Sequence, residues 1–105
     1  MAWVYLILAG LFEIGWPVGL KMAQQSETRV TGIIVAVVFM AVSGLLLWLA
    51  QKQIPIGTSY AVWTGIGAVG TFFVGVLVYQ DPTNIGRYLG VALIVAGVAT
   101  LKLSH

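Results

Sequence analysis

The sequence has no cysteine, one histidine and three acidic residues among its 105. Without cysteine there is no disulfide framework, iron–sulfur cluster or thiolate metal site. The histidine is the last residue, His105, so zinc clusters and histidine-dependent triads have nothing to draw on. No nucleophile–base pair or set of metal ligands can be assembled from the remainder, and neither an enzyme nor a bound metal or cofactor is expected. Charge of either sign is scarce. Only 8% of residues are charged, whereas a soluble domain carries about 25%.

Apolar residues take the place of the missing charge. They make up 60% of the chain, and the mean hydropathy is +1.02. A water-soluble fold is excluded. The formal net charge of +2 comes from five basic residues, all near the ends of apolar runs. They read as anchors at a membrane interface and not as a nucleic-acid surface.

A bilayer core ~30 Å thick is crossed by roughly 20 apolar residues of helix. Four such runs fit, at about 2–23, 31–51, 56–79 and 85–103, joined by short polar connections. The expected fold is all-α, a single four-helix transmembrane unit over 1–105. The N-terminus has no basic region before its apolar run, so the first segment is expected to be kept as a span and not cleaved as a signal peptide. Pro55 and Pro82 stand where helices begin, and Thr83 or Asn84 can cap the last one.

Lys21, Arg29 and Arg87 fall on one side of such a bundle, Lys52 and Lys102 on the other. Orientation follows the Lys/Arg imbalance. Three against two is almost none, so insertion in both orientations is expected. Trp3, Tyr5 and Trp48 mark one interface, Tyr79 and Tyr88 the other.

Glu13 is the exception to this apolar pattern. It lies midway along the first run, while Glu27 and Asp81 fall in polar connections. A charge at bilayer depth is costly and usually faces a cavity or a partner. At 100° per residue its face also carries Leu6, Ala9, Gly10, Trp16, Pro17 and Leu20. Gly10 is expected to leave room beside the acid and Trp16 to wall it. Pro17 cannot donate to the Glu13 carbonyl, giving a kink at the site or a harmless one.

In the third run Tyr60, Trp63, Thr64 and Gly67 share a face. Aromatic faces hold cations and a phenol can bond a carboxylate, although the same residues could be a packing pair. Clustered Gly65, Gly67 and Gly70 suit a hinge or a close crossing. Ser43 could bond Glu13 or its own helix backbone at residue 39. Gly15 and Gly19 lie opposite Glu13. Gly67, Thr71 and Gly75 form a second ridge, and the stripe Gly86, Gly90 and Gly97 is assigned to self-association. One acid taking either a proton or a cation is sufficient to couple their opposite movements. Four spans are too few to enclose a path, so two chains would each supply a Glu13.

At these residues the sequence resembles the small multidrug resistance family of proton-coupled exporters along its full length. The resemblance rests on Glu13, on Leu20-Lys21, and on Pro-Ile-Gly-Thr-Ser-Tyr-Ala-Val-Trp-Thr-Gly-Ile-Gly at 55–67. Trp16, Ser43 and Trp63-Thr64-Gly65-Ile66-Gly67-Ala68 resemble the guanidinium-exporter branch. The resemblance implies an antiparallel dual-topology homodimer in the bacterial inner membrane. It also implies a Glu13 that binds guanidinium and protons in turn, surrounded by Ser43, Tyr60, Trp63 and Trp16, with Gly10 giving room. A polyspecific exporter of quaternary ammonium cations and a non-transporting accessory or lipid-flipping subunit are the alternatives. Pro17 and Ser59 depart from the branch, where alanine is expected. Gly44 replaces what can be a bulkier residue, which would open the site to alkyl-bearing guanidines.

Overall fold

The computed structural model describes residues 1–104, and His105 lies outside them. Its helices are α1 (Ala2–Glu13), α2 (Gly15–Met22), α3 (Arg29–Ala50), α4 (Ile56–Val78) and α5 (Ile85–Leu103). A 3-10 turn at Ser26–Thr28 leads into α3. Taken with that turn, and with α1 and α2 as one run, four segments among the described residues are long and apolar enough to cross a membrane.

The first expected span, 2–23, is thus divided. Ile14 keeps helical dihedrals, φ −61 and ψ −36, but its N–H bonds three residues back, to the Leu11 carbonyl at 3.3 Å. Pro17 supplies the reason, because it cannot donate to the Glu13 carbonyl. Restarting the helix at Gly15 puts Pro17 in a first turn, where a missing N–H is not needed. The interruption therefore falls immediately after the acid.

The α2–α3 connection satisfies its own helix end. The Thr28 hydroxyl donates to the Met22 carbonyl at 2.6 Å, and Arg29 Nε donates to that of Ala23 at 3.2 Å. Asn84 caps α5, its Oδ1 accepting the Arg87 N–H at 2.9 Å.

α4 corrects one expectation. It runs unbroken through Gly65 and Gly67, so neither residue is a hinge in this conformation. Both are close-contact positions instead. A Cβ on Gly65 would stand 2.6 Å from Val98 Cγ2 of α5, and one on Gly67 2.6 Å from Glu13 Cγ.

The α1–α2 run packs along α3, α1 also packs on α4, and α5 rests against α4. Lipid offers no hydrophobic drive between helices, so close backbone approach must hold them together. Gly19 and Gly32 provide it. A Cβ on Gly19 would lie 2.5 Å from the Ala36 nitrogen and 2.7 Å from the Gly32 carbonyl oxygen. Gly15 meets the Phe39 ring. The face of the first run opposite Glu13 is thus committed to α3, and the acid is left facing α4. At one end Leu6, Ile54 and Val62 form a small buried core with Ala2 and Ala50.

Each lysine at a helix end lies over an aromatic ring, with Nζ to centroid distances of 5.8 Å for Lys21 on Tyr79, 4.6 Å for Lys52 on Trp48 and 5.2 Å for Lys102 on Trp3. Such pairs keep the charge at the interface while the stem stays in apolar surroundings.

Candidate functional site

Glu13 closes α1 beside the interruption at Ile14. Its stem lies on the α4 backbone at Gly67, and any side chain there would occupy its place. On its open side is a cavity of about 290 Å³ lined by Glu13, Pro17, Thr64, Gly67, Ala68 and Thr71. Trp16 follows the acid by about one helical turn, and Ser43 reaches the same stretch of α1 from α3.

Behind the acid, a buried relay ties three helices together. Trp63 Nε1 of α4 donates to Ser43 Oγ of α3 at 2.8 Å, and Ser43 donates to the Ala9 carbonyl of α1 at 2.7 Å. Ser43 is fully buried. Its hydroxyl bonds a neighbouring helix one turn before Glu13, not its own backbone at residue 39. A fully partnered hydroxyl of this kind fixes the register of three helices around the acid.

Tyr60 lies at the edge of the group, 57% exposed, with its ring 5.5 Å from that of Trp63. Gly10 differs from expectation. A Cβ there would stand 2.6 Å from Ile66 Cβ, so this glycine permits the α1–α4 crossing and leaves no open room. Gly44, next to Ser43, does have open space, with nothing within 4 Å of a Cβ built on it.

Gly90 and Gly97 on α5 are likewise uncontacted within the chain. Ser59 is buried, and its hydroxyl donates to the Ile54 carbonyl at 3.3 Å. That bond tethers the start of α4 and is remote from the acid. Ala68 and Thr71 were not singled out as cavity lining. The available signal was Thr71 at i+4 from Gly67, on the α4 face that meets Glu13.

A second, apolar cavity of about 360 Å³ lies between α1, α4 and α5, walled by Leu11, Ile66, Val69 and Val98 among others. It offers a cation no polar side chain. The cavity at Glu13 differs in having a carboxylate and two threonines in its wall.

The family model described as Small Multidrug Resistance protein matches residues 1–94. The chain is 48% identical to a "Guanidinium exporter" of Proteus vulgaris over 104 residues, covering 99% of each chain. It is 46% identical to a protein of the same name from Yersinia pseudotuberculosis, again over 99% of both. A third, from Salmonella typhimurium strain LT2, is 45% identical over 99% of this chain and 98% of its own. The match to these relatives extends across all four apolar segments. The chain is a multi-pass membrane protein and belongs to the small multidrug resistance family.

Proposed function

We propose that this chain exports guanidinium, or a substituted guanidinium, in exchange for protons, and that Glu13 binds the two in turn. The reading rests chiefly on one observation. The single acid within the described apolar helices is fixed beside an open cavity, with the Trp63–Ser43–Ala9 relay one turn away. The names of its relatives point to the same cation.

A carboxylate in apolar surroundings needs a counter-charge or a proton. When a cation arrives the proton must leave, and when the cation leaves a proton must return. Exchange follows from that exclusion without a second titrating residue in the same chain. Guanidinium suits the surroundings because it is planar, lies flat on an aromatic face, and presents N–H groups along its edge to a carboxylate.

The functional unit in this proposal is an antiparallel homodimer in the bacterial inner membrane. The chain alone measures 44 × 34 × 16 Å, and its Glu13 cavity is open on one side. A second copy would close the open side of the Glu13 cavity and cover exposed Tyr60. Gly90 and Gly97 are free to pack against it. Two inverted copies would supply the symmetry by which many transporters alternate access.

The direct test is proton-coupled current in liposomes, comparing guanidinium with tetraethylammonium. Guanidinium should evoke current and tetraethylammonium little or none. The reverse selectivity would favour a polyspecific quaternary ammonium exporter, and silence with both would favour a non-transporting accessory subunit. The open space at Gly44 supports tolerance of alkyl tails. In Gly44→Phe, butylguanidinium current should fall relative to guanidinium. An unchanged ratio would remove that argument.

A further inference from the structure

Three cavities follow one another from Glu13 toward the end of the bundle where α2 meets α3 and α4 meets α5. The first, about 290 Å³, contains Glu13 and includes Pro17 and Thr71 in its wall. The same two residues line the second, about 170 Å³, which also holds Lys21, Tyr79 and Asp81. Lys21 and Tyr79 are shared in turn with a third, about 330 Å³, whose other walls include the polar Gln24, Gln25 and Thr28. Lys21 and Tyr79 thus stand at the neck between the second and third of these neighbouring cavities.

That neck already carries a cation on an aromatic face. Lys21 Nζ lies 5.8 Å from the Tyr79 ring centroid, within the ~6 Å over which a ring attracts a cation. Asp81 is folded into the same cavity. Gln80 adopts a left-handed φ of 58°, and the Asp81 N–H donates to the Gly75 carbonyl at 3.0 Å. Its carboxylate rests in the space a side chain at 75 would fill. The neck thus presents an aromatic face and a carboxylate, with the Lys21 ammonium against the ring.

We infer that Tyr79 and Asp81 form an outer seat for the guanidinium ion, and that Lys21 occupies this seat until substrate displaces it. An ammonium is a compact charge on a flexible stem and can swing away toward water. A guanidinium can stack flat on the ring while its N–H edge meets a carboxylate. The seat would let a cation pause between Glu13 and the surface without a bare crossing of the neck. The inference depends on guanidinium being the substrate class. It makes Tyr79 and Asp81 specificity-determining residues outside the central site.

The test reads binding apart from transport. The full chain labelled with fluorotyrosine is titrated with guanidinium chloride by fluorine NMR in nanodiscs, with Tyr79→Phe identifying the Tyr79 signal. Guanidinium should shift that signal in Glu13→Gln as well as in the native chain. Asp81→Asn should weaken the apparent affinity at this signal roughly two- to fivefold, the worth of a partly exposed cation contact. Lys21→Gln should strengthen it by a similar factor, because a competitor is gone.

Effects of opposite sign at Asp81 and Lys21 distinguish a seat from a merely structural contact. A Tyr79 signal unmoved by guanidinium in Glu13→Gln would overturn the outer seat even if transport were intact. A shifting Tyr79 signal in a native chain that carries no guanidinium current would support the seat and defeat the export reading instead.

Discussion

Ser43 and Gly10 show how far a single residue's duty can be read from its neighbours in the chain. Both stood out in the sequence, Ser43 as a lone polar residue in an apolar run and Gly10 as a small residue one turn before the acid. Ser43 turned out to bond Ala9, 34 residues away, and to accept from Trp63, 20 residues away. Neither partner can be inferred from helical periodicity, which reports only which residues share a face. Gly10 suggests open room beside the acid, but the space belongs to Ile66. The relay leads to a prediction at this scale. Removing one buried hydrogen bond costs about 1 kcal/mol, or roughly fivefold in an equilibrium constant. Ser43→Ala should raise the half-saturating guanidinium concentration by about that factor. Trp63→Phe should do the same, and the double variant should cost less than the sum, since both remove the same bond. Strict additivity in currents from reconstituted protein would show that the relay does not act on the site.

The elements themselves were the most legible part. Twenty apolar residues with polar ends can hardly be anything but a span, and α3, α4 and α5 begin and end within about two residues of the expected limits. Inside the elements, glycine was the ambiguous letter. The same residue type suits a hinge, a crossing or the wall of a site, and periodicity does not choose among them. Gly65 and Gly67 are contact positions in an unbroken helix, while the actual interruption lies at Ile14. Proline was more informative, because its missing N–H names the carbonyl left over. Even so, the chain resolves the conflict three residues before Pro17. The crossing of α2 and α3 gives the prediction for this scale. Gly19→Val would force the two backbones apart, and overpacking of this sort costs about 1–3 kcal/mol. Midpoints of thermal unfolding in detergent should fall clearly for Gly19→Val. They should barely change for Gly44→Val, where the space is open. Equal stability of the two variants would contradict the crossing.

For the whole molecule, the nearly even distribution of basic residues bears on the proposed pairing of two inverted copies. Leu77, Val78, Leu89 and Leu93 are all more than half exposed in the single chain, as expected of surfaces meeting lipid or another copy. What a second copy covers could not be read from sequence, because an apolar residue facing lipid and one facing a like chain are chemically the same. Orientation can be tested through charge. Gln24→Lys with Gln25→Lys changes three against two into five against two. The doubly substituted chain should insert in one direction only, as read by a C-terminal reporter. It should lose transport when expressed alone and recover it beside a chain biased the other way. Full activity from a population held in one orientation would rule out the antiparallel pair.

The central claim is that one acid serves both ions, and Glu13→Gln tests it most directly. In liposomes with a pH gradient, the native chain should carry guanidinium-evoked proton current. Glu13→Gln keeps the shape and the contact with Gly67 but can neither ionise nor release a proton. Removing the charged partner of a buried cation costs several kcal/mol, so current should fall by about a hundredfold or more. Guanidinium transport still coupled to protons in Glu13→Gln would contradict the account.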